Sequence, residues 1–281
     1  MKIKIFVIVI SFCLISAFAV YQFINSRDKK LHVVFCNIGQ GDAIYIRTPE
    51  GSDILIDAGP DNSILECLGR HMPFWDKTIE LAFATHPDAD HIGGFTHVLT
   101  NYKVKSYNTV HKAADTGVYL RIQDQLRLQN TIVRYLYSGD AYMFAGGVKL
   151  TTFWPSREFI SGETNPYSLI QMLNFNKFDL LLNGDIEFDT LNTILRKAQD
   201  DNVIVEVFKL PHHGSKTGVD VNTFNLIQPK VSIISAGENN RYGHPHFSVT
   251  GELHKHNLKY LETKNGDVEI VSDGETWTIS Q

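Results

Sequence analysis

The stretch THPDADHIGG, residues 85–94, places four side chains that can bind a metal within six residues. It follows the apolar run at residues 79–84, which is typical of a buried strand, so the strand would deliver these side chains to a loop at a sheet edge. His86 and Asp88 alternate and would point the same way in extended backbone, whereas Asp90 and His91 are adjacent and would point apart. Such a loop can serve two ions rather than one. The alternative is a polar loop in which Asp90 only caps the following helix.

The composition is that of an ordinary globular protein. The chain has 281 residues, of which 43% are hydrophobic and 20% charged, and it is long enough for one large domain or two small ones. Its net charge of −5 argues against a broad basic face, so contact with a nucleic acid would be local or mediated by metal. The three cysteines, Cys13, Cys36 and Cys67, form no zinc-ribbon spacing. We interpret Cys36 and Cys67 as free buried thiols.

Residues 1–26 differ from the rest of the chain. An almost unbroken apolar run from Ile5 to Val20 lies between lysines at positions 2 and 4 and basic residues at positions 27, 29 and 30. This pattern predicts a secretory signal peptide or a membrane anchor. The sequence Ala-Phe-Ala at 17–19 favours cleavage, whereas the aromatic flank at 21–23 favours a retained anchor. We expect an anchor, with residues 31–281 outside the cytoplasm.

From residue 31 onward the pattern alternates between strands and helices. Two roughly equal halves of this kind predict two sheets packed face to face with helices outside. No low-complexity linker interrupts residues 31–281, so we expect one domain. Strands are predicted at 31–36, 43–47, 53–59, 77–84, 104–110, 131–137, 148–154, 167–173, 178–183, 203–210, 230–235, 258–261, 267–271 and 276–279, and helices at 62–71, 92–102, 113–129, 186–199, 219–227 and 249–256.

Other polar residues also follow predicted strands. Asp185 comes directly after an apolar strand, as His86 does, and a carboxylate there can bridge two cations because each oxygen can bind one. The pair at 212–213, two histidines, follows another apolar strand, which is unusual for packing alone. His97 and His111 have no ligand-rich neighbours, and we interpret both as ordinary surface or core residues.

The cluster at residues 86–91 resembles the His-x-His-x-Asp-His signature of the metallo-β-lactamase fold hydrolases, with Asp88 in place of the second histidine. This variant resembles the soluble domain of DNA-uptake channel proteins of the ComEC/Rec2 type. The resemblance covers residues 31–281 and implies an α/β (α+β) fold, the αββα sandwich of two mixed sheets. Further motifs similar to that branch are GQGD at 39–42, IDAG at 56–59, LLNGD at 181–185, PHHGS at 211–215 and GHPH at 243–246.

The resemblance implies a site for two divalent ions. His86 and Asp88 would bind one ion, and Asp185 would bridge to the second. The second ion would be held by Asp90, His91 and His213, with His212 as the alternative to His213.

One expected ligand is missing, because no histidine lies between His111 and His212. Asn165 and Ser168 stand there instead, in a pattern similar to that of the DNA-uptake branch. Oxygen donors in place of imidazoles shift the preference from zinc towards manganese, and we expect Mn²⁺ or Zn²⁺.

Two aspartates would support the ligands from behind. The resemblance assigns Asp57 as a hydrogen-bond partner of the ligands, and Asp42 is a second candidate. The alternative for both is turn chemistry, since aspartate beside glycine is common in turns.

Two ions can activate a water molecule and hold the attacking and leaving oxygens of a phosphoester. We therefore predict a metal-dependent hydrolase, specifically a phosphodiesterase or nuclease acting on DNA outside the cytoplasm. Asp90, Tyr242 and His244 are the catalytic candidates, and His246 lies beside them. His244 would contact the phosphate or protonate the leaving group, unless it only caps the next helix.

Other functions remain open from the sequence. One alternative is a hydrolase of a small ester, a phosphocholine ester or a lactone on the same scaffold, and another is a non-catalytic binding module. The partners expected are DNA or a small phosphoester, and the membrane through the N-terminal segment. The sequence indicates no protein partner.

Overall fold

The computed structural model describes residues 2–25, 27–198, 205–238 and 240–281. The helices are α1 (Lys2–Asn25), α2 (Ile64–His71), α3 (Ala89–Ile92), α4 (Phe95–Asn101), α5 (Gly117–Leu128), α6 (Phe188–Ala198), α7 (Val221–Ile227) and α8 (Phe247–Lys255). The strands are β1 (Leu31–Phe35), β2 (Ala43–Arg47), β3 (Asp53–Ala58), β4 (Thr78–Phe83), β5 (Lys103–Thr109), β6 (Ile132–Tyr135), β7 (Ala141–Met143), β8 (Lys149–Trp154), β9 (Ile170–Phe175), β10 (Phe178–Leu182), β11 (Val207–Lys209), β12 (Val231–Ile234), β13 (Lys259–Glu262), β14 (Val268–Ser272) and β15 (Trp277–Ser280).

The strands form two mixed sheets. The first has the order β15-β14-β1-β2-β3-β4-β5-β6, and the second has the order β13-β12-β11-β10-β9-β8-β7. Strands β3 to β6 run parallel, as do β10 to β13. Because the carboxyl ends of parallel strands meet at one edge of a sheet, each sheet presents several loops at the same edge.

Three apolar layers hold the sheets and helices together. Along β3, Ile54 and Ile56 pack between the sheets, whereas Leu55 packs against the helices α2 to α5. Along β10, Leu180 packs between the sheets and Leu181 packs against α6 to α8. This alternation follows from the two-residue period of a strand. The predicted αββα sandwich is confirmed.

The predicted helix at 92–102 is two helices, α3 and α4, that meet at Gly93 and Gly94. A Cβ atom at Gly94 would overlap the carbonyl oxygen of Ala58, and one at Gly93 would overlap that of Pro60. The two glycines therefore let the start of α4 press against the end of β3. This contact brings α3, with its potential ligands, to the sheet edge.

Several other boundaries differ from the sequence prediction. Strand β7 was not predicted, and the turn at 146–147 joins β7 to β8 within the second sheet, whereas β6 ends the first sheet. The strands β14 and β15 return to the first sheet beside β1, so the two halves of the chain do not each build one sheet. The strand expected at 167–173 begins at Ile170, after a 3₁₀ turn over Asn165–Tyr167. Part of the strand expected at 203–210 lies outside the described residues.

The interpretation of Cys36 and Cys67 as free thiols is wrong. The two residues form a disulfide, with their Cα atoms 5.8 Å apart, that joins the end of β1 to α2. Both side chains are buried. Their spacing of 31 residues does not reveal the pair, because only the packing of α2 on the sheet brings them within bridging distance.

No helix in the described part of the chain is both long and apolar enough to cross a membrane. The expectation of a membrane anchor at residues 1–26 is therefore not supported.

Candidate metal centre

Loops after three strands and one short helix build a buried cluster of histidines and carboxylates. His86 follows β4, Asp185 follows β10, His213 follows β11, and His91 belongs to α3. All four side chains are buried, with at most 4% of the residue exposed. The cluster lies where the carboxyl edges of the two sheets face each other, as expected from apolar strands that end in polar loops.

Asp185 lies at the centre of this cluster. Its Oδ1 is 3.2 Å from His91 Nε2, and its Oδ2 is 3.4 Å from His213 Nε2. His213 Nε2 is also 3.5 Å from an oxygen of Asp90. The rings of His86 and His91 are 4.2 Å apart between centroids. The two oxygens of Asp185 thus face different histidines, which is the arrangement a bridging carboxylate needs.

The inward-facing atoms of the cluster have no hydrogen-bond partner among the described residues. They are Nε2 of His86, His91 and His213 and Oδ1 of Asp185. A buried polar atom left without a partner costs about 1–3 kcal/mol, so four such atoms in one buried cluster indicate that something else satisfies them. Imidazole nitrogen and carboxylate oxygen are common ligands of divalent metals, and the cluster therefore fits a metal ion.

Asp57 orients His91 from behind. Its Oδ2 lies 2.8 Å from His91 Nδ1, and its carboxylate accepts hydrogen bonds from the backbone N–H of Thr85 at 2.8 Å and from the Thr85 hydroxyl at 2.7 Å. Because Asp57 is the acceptor, Nδ1 carries a proton, and Nε2 of His91 is the nitrogen that would bind a metal at the centre. Asp57 adopts a φ of 55°, a conformation that costs energy for a residue other than glycine and is concentrated at functional sites.

The other two histidines are held in the same tautomer. His213 Nδ1 lies 2.9 Å from the carbonyl oxygen of Ser235, which can only accept. His86 Nδ1 lies 3.1 Å from the Thr85 hydroxyl and 3.3 Å from the Ser168 hydroxyl. Since the Thr85 proton goes to Asp57, its oxygen is free to accept from His86 Nδ1.

Ser168 therefore supports the ligands and does not replace the missing histidine. Its hydroxyl also accepts a hydrogen bond from the backbone N–H of Asp185 at 3.0 Å. Asn165 lies in the preceding 3₁₀ turn, where its carbonyl accepts from the N–H of Ser168 at 2.9 Å. In the described residues, no contact joins the Asn165 side chain to the ligand cluster.

The cluster is strongly polarised. Burial opposes ionisation of Asp185, but His213 and His91 hold its pKa well below the ordinary range. Burial likewise opposes charge on His91, whose pKa is raised by Asp185 and Asp57. Burial and the neighbouring His91 lower the pKa of His86 to about 3. Asp185 is therefore ionised and His86 neutral, whereas Asp185 and Asp57 favour a proton on both nitrogens of His91, and a cation bound at Nε2 would take the place of one of these protons.

A buried lysine at position 209 was not predicted. Lys209 is fully buried, its ammonium group contacts a carboxylate oxygen of Asp42, and it lies 3.4 Å from the carbonyl of Gly184. The other oxygen of Asp42 is 3.4 Å from His213 Nδ1. The sequence does contain a signal for this contact, because a lysine stands inside the apolar stretch before the histidine pair at 212–213. Since lysine is almost never fully buried without a partner, its position indicates a buried carboxylate nearby.

Asp42 is better described as a support than as a ligand. It belongs to a group with His91, Asp185 and His213 whose ligand atoms lie within 4.8 Å of one another. Burial opposes its ionisation, but Lys209 and His213 hold the pKa of Asp42 well below the ordinary range. Its charge is thus already matched by Lys209.

The remaining predicted ligands lie at the opening of the cluster. Asp88 has 37% of its side chain exposed and lies 3.7 Å from His86 Nε2. His212 Nε2 is 3.8 Å from Asp185 Oδ2, with 24% of its side chain exposed. His212 and His213 both adopt left-handed backbone conformations, with φ of 51° and 55°. His213 is the deeper and closer of the two.

The predicted catalytic residues Tyr242 and His244 form the rim. The His244 ring lies 5.7 Å from that of His212 and 6.2 Å from that of His213, and Tyr242 stacks on it at 5.7 Å. Burial, with His213 and His212 adding to it, lowers the pKa of His244 to about 4. His246, not His244, caps α8, because its ring accepts from the N–H of Ser248 at 3.3 Å.

Comparison with known proteins places this arrangement in a family. The family model of the Metallo-beta-lactamase superfamily matches residues 36–238. ComE operon protein 3 of Bacillus subtilis is 27% identical over 279 residues, which cover 93% of this chain and 35% of that protein. Recombination protein 2 of Haemophilus influenzae is 25% identical over 241 residues, which cover 83% of this chain and 28% of that protein. The chain thus spans about a third of the length of these curated relatives.

Solved structures agree on the fold. Igni18, a metallo hydrolase from Ignicoccus hospitalis, matches with a TM-score of 0.56 and 15% identity over 89% of this chain and 99% of that one. The family model covers well over half of the chain, and the two curated relatives match 93% and 83% of it. The chain therefore belongs to the metallo-beta-lactamase superfamily, in which it resembles the ComEC/Rec2-type proteins.

Proposed function

We propose that the chain is a metal-dependent phosphodiesterase that cleaves DNA outside the cytoplasm. The observation that carries the proposal is a buried group, Asp42, His91, Asp185 and His213, whose ligand atoms lie within 4.8 Å of one another. In the same cluster, Nε2 of three histidines and Oδ1 of Asp185 have no hydrogen-bond partner among the described residues. The resemblance to the DNA-uptake branch supports DNA as the substrate. The disulfide between Cys36 and Cys67 supports a location outside the cytoplasm, because disulfides persist mainly in oxidising compartments.

Two divalent ions, Mn²⁺ or Zn²⁺, would be held by this cluster. His86 and Asp88 would hold one, Asp90, His91 and His213 would hold the other, and Asp185 would face both. A divalent ion held here supplies Lewis-acid activation of the attacking water and of the phosphoryl oxygens. The oxygen ligands of the first position favour manganese.

The residues around the opening would then act on the substrate. Burial opposes ionisation of Asp90, but the neighbouring His213 and His91 lower its pKa to about 2. Asp90 is therefore ionised at neutral pH and would orient the attacking water by accepting a hydrogen bond from it. His244 would be neutral at that pH, and its ring would donate a hydrogen bond to a phosphoryl oxygen. Tyr242 would cover the other face of the His244 ring and fix its orientation.

The first experiment supplies the full chain with Mn²⁺ and follows cleavage of end-labelled single-stranded DNA. We expect cleavage that is abolished by Asp90→Ala and retained by Asp124→Ala, a matched change at an exposed aspartate on α5. A second assay uses bis(4-nitrophenyl) phosphate. Hydrolysis of this small diester without any DNA cleavage would favour the small-phosphoester hydrolase, and hydrolysis of neither by metal-loaded protein would favour a binding module.

A further inference from the structure

A cavity of about 440 Å³ lies between the last strand of each sheet. Strand β6 ends the first sheet and β7 ends the second, so the sandwich is open between them. Two arginines and two tyrosines line the cavity, namely Arg134, Arg157, Tyr135 and Tyr142. This combination of guanidinium groups and exposed aromatic rings is typical of surfaces that bind single-stranded nucleic acids.

The two guanidinium groups lie beside tyrosines. Arg157 lies over the ring of Tyr137 at 4.5 Å from its centroid, and Arg134 lies near Tyr142, where its charge lowers the pKa of that hydroxyl against the effect of burial. Asp140, the acidic residue of the lining, accepts a hydrogen bond from the N–H of Tyr137 at 2.8 Å. Among the described residues neither arginine forms a salt bridge. Both positive charges therefore remain available to an anion.

The cavity opens at the same sheet edge as the candidate metal centre. The parallel register pairs Phe83 of β4 with Asn108 of β5, and Thr109 of β5 with Tyr135 of β6. Tyr135 on β6 is thus two strands away from β4, the strand that leads into His86. At the usual strand spacing this is about 10 Å. His111 is exposed and follows β5, the strand between β4 and β6, and its ring lies 4.9 Å from the Tyr135 ring between centroids. Surface aromatic groups therefore continue from the cavity towards the metal centre.

We propose that this edge cavity binds the part of a nucleic-acid strand that continues beyond the bond held at the metal centre. The inference rests on the proposed phosphodiesterase function and extends it to a polymeric substrate. Arg134 and Arg157 bind backbone phosphates, for which the planar guanidinium group is well suited. Tyr135, 46% exposed, stacks on a base. Because the protein carries a net negative charge, the local positive charges of Arg134 and Arg157 are what attract the strand.

The test measures binding separately from cleavage. The full chain carrying Asp90→Ala is titrated with a labelled twelve-nucleotide oligodeoxythymidylate, and fluorescence anisotropy is followed over a range of NaCl concentrations. For single-stranded DNA, log K falls as the logarithm of the salt concentration rises. Each phosphate that the protein no longer neutralises makes this fall shallower by about 0.7. We expect the double variant Arg134→Gln/Arg157→Gln to bind at least ten-fold more weakly, with a slope reduced by about 1.4.

Two comparisons separate stacking from charge. Tyr135→Leu should weaken binding by about five-fold or more because a base can no longer stack on the ring, with an unchanged salt slope. The matched control, Arg121→Gln/Arg127→Gln, removes two exposed charges from α5 and should leave affinity and slope unchanged. If the cavity double variant behaves like this control, the inference is wrong. If thymidine 5′-monophosphate competes as tightly as the oligonucleotide binds, the cavity is a site for a free nucleotide and the strand proposal is also wrong.

A parallel assay distinguishes failure of this inference from failure of the proposed function. Hydrolysis of bis(4-nitrophenyl) phosphate with Asp90 intact needs the metal centre but not the edge cavity. The cavity double variant should retain this rate while losing cleavage of the oligonucleotide. If the parent chain hydrolyses no diester, the proposed function fails, yet arginine-dependent binding of the oligonucleotide still supports the edge cavity.

Discussion

Individual residues decide whether the buried histidines present a lone pair or a proton to the centre. Each imidazole is held at Nδ1 by an acceptor: Asp57 for His91, the Ser235 carbonyl for His213, and the Thr85 and Ser168 hydroxyls for His86. The three Nε2 atoms therefore all face inward. We therefore expect residues that would not touch a bound metal to influence its affinity.

Asp57→Asn should lower metal affinity without unfolding the protein. The amide cannot match the charge of the carboxylate that fixes the His91 tautomer, and removal of such a partner typically weakens metal binding by about 10–100-fold. Isothermal titration with Mn²⁺ measures the change. Asp124→Asn, at an exposed site on α5, is the control, and equal affinities for the two variants would exclude an orienting role for Asp57.

Lys209→Met should destabilise the protein strongly. Removal of the ammonium group leaves Asp42 buried beside ionised Asp185, and breaking a buried pair by deleting one partner costs about 3–5 kcal/mol. Urea denaturation of the metal-free chain measures the loss of stability. The double variant Lys209→Met/Asp42→Asn should recover part of it, and no recovery would mean that Lys209 acts through packing.

At the scale of elements, two sets of interactions connect α2 to the first sheet. The disulfide joins Cys67 of α2 to Cys36 after β1. Beside it, Asp267 accepts hydrogen bonds from Arg70 and the N–H of Asn37 and pairs with His71. Both ties connect parts of the chain that are distant in sequence.

Reduction of the disulfide should lower stability by about 3–4 kcal/mol, from the entropy of closing a loop of this length. Unfolding by urea with and without reductant measures the change. Cys13→Ala is the control, because Cys13 is a free, exposed cysteine and its replacement should leave the difference intact. An equal midpoint for reduced and oxidised protein would contradict the prediction.

Asp267 should make stability depend on acid pH. Burial opposes its ionisation, but His71, the Asn37 N–H and Arg70 lower its pKa to about 2. Since the pKa is lower in the folded chain than the ordinary value of 3.8, its stabilisation is present above pH 4 and is lost as the pH falls towards 2. Asp267→Asn should flatten the fall in stability across this range, as measured by urea midpoints at each pH. An unchanged profile would rule out this contribution.

At the scale of the whole molecule, the centre lies between loops from both sheets. His86 and His91 belong to the first sheet's half, whereas Asp185 and His213 belong to the second. A metal ion bound there would link the two sheets, and because only the assembled cluster would bind it, its binding free energy would add to the stability of the fold.

Addition of Mn²⁺ to the chelator-treated chain should raise its melting temperature. Metal at a hundred times its dissociation constant adds about 2.7 kcal/mol to the unfolding free energy. Differential scanning calorimetry measures the shift. His213→Ala should remove most of this shift. His97→Ala, at an exposed histidine, should leave the shift unchanged. A shift that survives His213→Ala would place the ion elsewhere.

The sequence alone determined the layered arrangement of strands and helices and the sheet-edge position of the candidate ligands. Strands with apolar periodicity end in polar motifs, and this local pattern is enough to place His86, His91, Asp185 and His213 at sheet edges. The tertiary structure alone decided the disulfide, the return of β14 and β15 to the first sheet, the burial of Lys209 and the edge cavity between β6 and β7. Each of these depends on contacts between residues far apart in the chain. Local pattern carries no information about such contacts, because they arise only when the two sheets and their helices pack together.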